Sequence, residues 1–182
     1  MINLILRLAT GLRAAVAVAA LAIGGTLLFR LSPYDELKDL LGGASLPEET
    51  ITSPERFAGI LETLGTAGRA SYLQFQTWDV INPILIGCAG AFVLGWLLNA
   101  GGRGSSAWRF VLLLPICLLA ADLLENVIIS VGLGAYPDRA AVGFALPIVT
   151  AVKFGAAMGT MLMVASLAVL WVRDRFVMRS AQ

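Results

Sequence analysis

Three polar side chains interrupt a long apolar stretch in the second half of the chain. Asp122, Glu125 and Asn126 follow the run FVLLLPICLLA and precede the run IISVGLG. Asp122 and Asn126 are four residues apart and share one face of a helix, while Glu125 lies about 60° from that face. Carboxylates and an amide in this arrangement could handle a proton or hold a polar head group. The spacing predicts a polar site inside a helical bundle.

Polar residues of two other apolar stretches are expected at a similar depth. At about 1.5 Å per helical residue, Asp122 and Glu125 lie roughly 20–24 Å from the arginine-rich end of their helix. The same count places three further residues at about 25–30 Å: Asn82, Lys153 and Asp79. Trp78 would lie just beyond this layer. The candidate ligand-binding residues are therefore Trp78, Asp79, Asn82, Asp122, Glu125, Asn126 and Lys153.

The charges in this layer do not balance. A charge at membrane depth costs several kcal/mol unless it is paired or neutralised. An ion pair of Lys153 with Glu125 or Asp122 could simply join two helices, which contributes about 1 kcal/mol. Three carboxylates against one lysine still leave an excess of acid that needs a proton or a cation. We therefore expect a water-accessible polar cavity, and expect Glu125→Gln to alter ligand binding or activity more than folding.

The composition indicates lipid as the solvent for much of the chain. Apolar residues make up 58% of the 182 residues, charged residues 14%, and the mean hydropathy is +0.84. A soluble domain carries about a quarter charged residues. Four apolar stretches can cross about 30 Å of hydrocarbon, and lipid favours helices there: residues 14–31, 80–98, 110–134 and 142–172. We predict one all-α domain over residues 1–182, with four transmembrane helices and kinks at Pro83, Pro115 and Pro147.

Arginine is unevenly distributed between the two sides of this predicted bundle. The N-terminus, the loop near residues 99–109 and the C-terminus carry seven basic residues and one acid, Asp174. The opposite side carries five basic and eight acidic residues, Arg139 and Asp138 among them. Short arginine-rich segments remain in the cytoplasm. We expect cytoplasmic termini, with the protein in the inner (plasma) membrane of a bacterium.

A long connection, about residues 32–69, joins the first two stretches on the opposite, outer side. Ser32-Pro33 and Ser53-Pro54 each combine an N-cap residue with proline at the first helical position. Glycines at 42–43 and at 65 and 68 would end the two helices. The second helix carries an apolar stripe at helical spacing: Phe57, Ile60, Leu61 and Leu64. Two short amphipathic helices are therefore predicted over the outer mouth of the bundle.

Several function classes are disfavoured. The chain has no histidine, which removes the usual haem ligands, histidine-based zinc sites and the commonest general base. Its two cysteines, Cys88 and Cys117, do not form a CxxC motif. A net charge of +1 without a basic tract argues against nucleic acid. No cofactor and no metal site are expected.

Three functions remain open from the sequence. The first is binding or transport of a lipid-like or cationic amphiphile that enters from the outer leaflet. The second is an accessory subunit of a larger membrane complex, which would need the stripe from Phe57 to Leu64 exposed for docking and an ion pair satisfied within the membrane. A second copy of the chain is the other partner considered. The third is an isomerase-like intramembrane enzyme with Glu125 or Asp122 as general acid or base.

Overall fold

The computed structural model describes residues 1–105, 107–137 and 144–180, with side chains as far as Val177. Regular secondary structure in these residues is entirely helical. Four segments are long and apolar enough to cross a membrane: Gly11–Leu31, Pro54–Ala100, Ala107–Ala135 and Ala145–Val177. The predicted all-α fold with four such segments is confirmed. Asp138, Arg139 and the predicted start of the fourth stretch near residue 142 lie outside the described residues.

The first apolar stretch forms two helices, α1 (Ile2–Leu8) and α2 (Gly11–Leu31). The sequence suggested a single helix, but Thr10 separates the two. Its extended backbone lets the hydroxyl accept a hydrogen bond from the Arg13 backbone N–H, which satisfies an open donor of α2. The Arg13 guanidinium donates to the Leu8 carbonyl oxygen at 3.0 Å and satisfies the end of α1. The break is therefore capped on both sides.

The connection after α2 contains α3 (Tyr34–Leu40), a 3₁₀ turn (Pro47–Glu49) and the start of α4 (Pro54–Asp79). The Ser53 side chain caps α4 as the sequence suggested, accepting from the Arg56 backbone N–H. The prediction that this helix ends at Gly65 is wrong, because α4 continues beyond that residue to Asp79.

Gly65 nevertheless interrupts the helical geometry of α4. Its backbone has φ 62° and ψ −170°, a conformation that is essentially restricted to glycine. The Arg69 guanidinium donates to the Leu61 carbonyl oxygen at 2.9 Å, across the break. The second predicted loop helix is thus the first part of a kinked helix rather than a separate element.

The remaining helices are α5 (Ile81–Ala100), α6 (Leu113–Ala135), preceded by 3₁₀ residues Ala107–Leu112, and α7 (Ala145–Ser180). Three prolines expected to kink helices occupy the third residue of a helix instead: Pro83, Pro115 and Pro147. In the first turn an N–H has no intrahelical partner, so a proline there costs no helical hydrogen bond.

The helices pack around α5 and α6. Helix α6 lies against α7 and α5, whereas α2 packs chiefly on α5. We call the end with residues 32–53 the loop end, and the end with α1, residues 101–105 and the end of α7 the arginine end. Each end has an apolar cluster. The cluster at the loop end includes the whole predicted stripe, buried in the protein itself: Phe57, Ile60, Leu61 and Leu64.

Candidate functional site

Lys153 lies at the centre of a buried polar cluster that joins two membrane helices to the loop end. Its ammonium group donates to the Glu125 carboxylate and lies 3.3 Å from Asp122 Oδ1. It also donates to the Glu48 backbone carbonyl oxygen at 2.8 Å. An ammonium has three protons, and these three oxygens can accept all of them. Lys153 therefore fixes the 3₁₀ turn onto α6 and α7.

Glu125 is an internal counter-ion of this cluster. Its side chain is fully buried, at 0% exposure. One carboxylate oxygen accepts from Lys153 and the other accepts from the Thr150 hydroxyl of α7. Both oxygens of Glu125 therefore accept hydrogen bonds from the protein, and neither is exposed to solvent. This environment suits a structural role better than contact with a ligand.

A second acidic position lies one helix away, at the end of α4. Asp79 is buried, and the side-chain amides of Asn82 and Asn126 lie close to its carboxyl group. Among the residues that the structure describes, Asp79 forms no ion pair within 4 Å. It therefore differs from Asp122, which has Lys153 directly beside it.

Glu48, in the 3₁₀ turn, is a fourth acid of the polar cluster. The Tyr72 hydroxyl donates to Glu48 Oε2 at 2.5 Å, while Oε1 is shut off from solvent without a hydrogen-bond partner in the described chain. Burial raises the pKa of Glu48 to about 8, against the lowering effect of the Tyr72 hydrogen bond. The sequence had placed Glu48 only among the outer acids. The apolar pair Leu46-Pro47 directly before Glu48 was an available signal in the sequence. Both residues are buried in the structure.

These groups form the polar end of a cavity of about 440 Å³. The cavity extends from the loop end into the bundle between α2, α5, α6 and α7. Its polar lining consists of Tyr34, Glu48, Glu49, Asp79, Asn82, Asp122, Lys153 and Thr160. Its apolar lining consists of Leu21, Phe29, Phe75, Ile86, Ala89, Gly90, Leu118, Phe154, Ala157 and Met161.

The polar and apolar parts of the lining are separated by depth. Lys153 and Met161 both line the cavity from α7, and eight helical residues span about 12 Å. Leu21, Ile86 and Leu118 supply apolar walls from three other helices. The charged lining residues therefore lie at the loop end of the cavity, and its deep end is apolar apart from Thr160.

Tyr34 and Glu49 form a closed hydrogen-bonded pair at the rim. The Tyr34 hydroxyl donates to Glu49, and Lys38 forms a 2.9 Å ion pair with the same carboxylate. Burial, followed by the hydrogen bond to Glu49, raises the pKa of Tyr34 to about 12. Glu49 thus already has a lysine counter-ion, whereas Glu48 forms no ion pair with a described residue.

The structure divides the predicted site residues into three groups. Four of them line the cavity: Asp79, Asn82, Asp122 and Lys153. Glu125 and Asn126 are buried beside it, and Asn126 also faces a groove between α4 and α6. Trp78 lies outside the described lining and is 38% exposed.

The chain matches no protein-family model, no curated protein and no solved structure. Function must therefore be argued from the cavity. In the described residues, no group of three or more acidic or cysteine side chains is arranged to hold a metal ion. The chemistry available at the polar end is binding of a cation, transfer of a proton and hydrogen bonding to a polar head.

Proposed function

We propose that the protein binds a membrane-derived amphiphile with a cationic head group in this cavity. The observation that carries the proposal is the composition of its polar end. Within the described residues, Glu48 and Asp79 line that end without an ion-pair partner, whereas Asp122 and Glu49 each have a lysine. A cationic head would supply the missing counter-ion of Asp79 and would favour the ionised form of Glu48, which burial otherwise keeps protonated up to about pH 8.

The head group would lie between Asp79 and Asp122, with the Asn82 amide oxygen as a further acceptor. The tail would lie along the apolar wall towards Met161. Moving a tail from lipid into an apolar cavity gains little free energy, because both surroundings are equally apolar. Selectivity would therefore depend on the head group, where the unpaired acids are.

A lateral entrance between α2 and α7 fits the packing of the bundle. Both helices line the cavity, but α2 packs chiefly on α5. An amphiphile could pass between them with its tail still in lipid. With cytoplasmic termini, as the arginine distribution predicts, the loop end and this entrance would lie in the outer leaflet.

The alternative role as a docking subunit keeps one of its two expected features, the internally satisfied ion pair of Lys153 with Glu125, and loses the other. It required an exposed stripe from Phe57 to Leu64, and the structure buries these side chains in the core of the loop end. The role as an intramembrane enzyme would assign Asp122 rather than Glu125 to substrate, because Asp122 lines the cavity.

The proposal is tested with a fluorescent single-chain alkyltrimethylammonium probe, and with an uncharged probe of the same chain length. In detergent-solubilised protein, Asp79→Asn should weaken binding of the cationic probe about tenfold, equivalent to about 1.4 kcal/mol, and leave the neutral probe unchanged. Asp39→Asn is the matched control, since Asp39 is an exposed acid of α3 outside the cavity.

Equal loss with both variants, or equal binding of both probes by the wild type, would contradict the proposal. Thermal unfolding of each variant, measured in parallel, separates lost binding from lost folding.

A further inference from the structure

The arginine end contains a second concave surface, which we call the arginine cleft. It lies between α1, the end of α5 and the residues that lead into α6, and encloses about 630 Å³. Its described lining is Asn3, Leu6, Arg7, Asn99, Gly102, Gly104, Ser105 and Arg109. Asn99 holds its two sides together, because its amide donates to the carbonyl oxygens of Leu6 and Ala9.

The charge of the arginine cleft is entirely positive. Arg7 and Arg109 come from opposite sides, and the described lining contains no acid. Neither guanidinium forms an ion pair with a described residue; Arg109 lies only over the Phe110 ring, at 5.2 Å. Arg103 and Arg173, at the same end, differ in this respect because both bind Asp174.

The arginine cleft lies at the level expected for lipid head groups. The apolar cluster beneath it, around Leu97 and Leu98, is covered by α1 and by Trp96. Trp96 and Trp171 are in contact there, at 5.6 Å between ring centroids, and tryptophan favours the membrane–water interface. On α1, Leu4 and Leu8 are exposed beside Arg7, as in a helix that lies along that interface.

We propose that the arginine cleft binds a phosphate group, presented by an anionic phospholipid. Two guanidinium groups can donate several charge-assisted hydrogen bonds to phosphate oxygens, and guanidinium geometry matches phosphate well. The Ser105 hydroxyl and the Asn3 amide add neutral donors on the same lining. The lipid chains would follow the exposed apolar surface of α1. This binding does not depend on the cavity at the loop end.

The test compares two double variants that remove the same charge from the same end of the protein. Arg7→Gln/Arg109→Gln removes both guanidinium groups of the arginine cleft. Arg173→Gln/Arg175→Gln is the control, because these residues lie outside the described lining. Native mass spectrometry of protein released from mixed micelles counts retained phosphatidylglycerol and phosphatidylcholine.

We expect wild type and control to retain phosphatidylglycerol in preference to phosphatidylcholine. The Arg7→Gln/Arg109→Gln protein should bind phosphatidylglycerol at least about tenfold more weakly, since it loses the charge-assisted hydrogen bonds of both guanidinium groups. Its thermal unfolding in pure detergent should match that of the control, which distinguishes lost lipid binding from lost folding.

A second arm uses inorganic phosphate with the delipidated protein and measures thermal stabilisation. The lipid is supported as the source of the phosphate group if phosphatidylglycerol stabilises the protein and inorganic phosphate does not. This stabilisation should be abolished only in Arg7→Gln/Arg109→Gln. Arginine-dependent stabilisation by inorganic phosphate of equal size would overturn the lipid assignment in favour of a soluble phosphate compound. Equal retention of both lipids, or equal loss in both double variants, would overturn the site itself.

Discussion

Lys153 satisfies three separate parts of the chain with one charge: two acids and one backbone carbonyl. Such a cluster contributes little net free energy compared with well-packed apolar residues. Removing one member, however, leaves the others buried and unpaired. The cluster therefore makes the position of the 3₁₀ turn specific more than it makes the fold stable.

Replacing Lys153 by Met should lower the free energy of unfolding by about 3–5 kcal/mol, because Asp122 and Glu125 would remain buried without a cation. Lys38→Met is the control and should cost no more than about 1 kcal/mol, since its ion pair with Glu49 is partly exposed. Equilibrium unfolding in mixed micelles measures both. A triple variant, Lys153→Met/Asp122→Asn/Glu125→Gln, should recover much of the lost free energy of unfolding. Similar losses in Lys153→Met and Lys38→Met would contradict the role given to the buried polar cluster.

Glu125→Gln now has a different expected effect from the one the sequence suggested. Because Glu125 is fully buried and bonded at both oxygens, the substitution should destabilise the protein by about 1–3 kcal/mol. Binding of the alkyltrimethylammonium probe per folded molecule should change less than in Asp79→Asn. A stable Glu125→Gln protein that no longer binds the probe would instead restore Glu125 as a direct ligand contact.

Glu48 should make stability depend on pH. Burial raises its pKa from 4.5 to about 8, so between these values the folded state holds a proton that the unfolded state has lost. This contribution of Glu48 to stability is fully present below pH 4.5 and is lost as pH rises towards 8, by at most about 1.4 kcal/mol per pH unit. The groups facing Glu48 are Tyr72 and Asp79 from α4, Glu125 from α6 and Lys153 from α7.

Glu48→Gln should remove most of that decrease, as seen by thermal unfolding at a series of pH values. The cationic probe should stabilise the wild type more at pH 8 than at pH 6, because it favours the carboxylate. Identical pH profiles for wild type and Glu48→Gln would show that Glu48 is not the titrating group.

At the scale of elements, the kink in α4 depends on one residue. Gly65→Ala adds a methyl group that meets no atom within 4 Å, so any loss must come from the backbone conformation. We expect a loss of about 1–3 kcal/mol. Gly59→Ala, also in open space but in regular helix six residues earlier, should instead be neutral or stabilising by up to about 1 kcal/mol. Thermal unfolding of the pair is the measurement, and equal effects would argue against strain at Gly65.

In the connection after α2, one predicted cap and one predicted helix end differ in the structure: Ser32 does not cap α3, whose N-cap is Pro33, and α4 continues past Gly65. Ser53 and Pro54 carry a local signal, since an N-cap hydroxyl and a proline at the first position act within one turn. Gly65 carries an ambiguous one, because positive φ can end a helix or kink it. The outcome depends on whether the next residues can pack, and here Tyr72 and Phe75 are buried in the loop-end cluster.

At the scale of the molecule, the four apolar segments could be predicted from length and hydropathy alone, and the cavity could be predicted only in part. Counting depth along separate helices identified four residues that line the cavity: Asp79, Asn82, Asp122 and Lys153. The sequence did not indicate Glu48, because its position depends on a contact with Lys153, which lies 105 residues later in the chain. Trp78 lies outside the described lining, because helix depth does not tell which way a side chain faces.

Orientation is a prediction of the whole molecule as well. Alkaline phosphatase inserted at Gly43 should be active, and the same enzyme fused to the C-terminus should be inactive, if arginine-rich segments stay in the cytoplasm. Green fluorescent protein at the two positions should give the opposite pattern. Activity at the C-terminus alone would invert the topology and place the cavity in the inner leaflet.

The bond from Lys153 to the Glu48 carbonyl oxygen also has a consequence for the order of synthesis. Glu48 leaves the ribosome 105 residues before Lys153, a delay of roughly 5–20 s at ordinary elongation rates. During this interval the 3₁₀ turn lacks its bond to α7, and Asp122 and Glu125 enter the membrane before their cation exists. The last helix therefore supplies both that bond and the counter-ion of these two acids, and an insertion intermediate lacking α7 should be the form most exposed to membrane proteases.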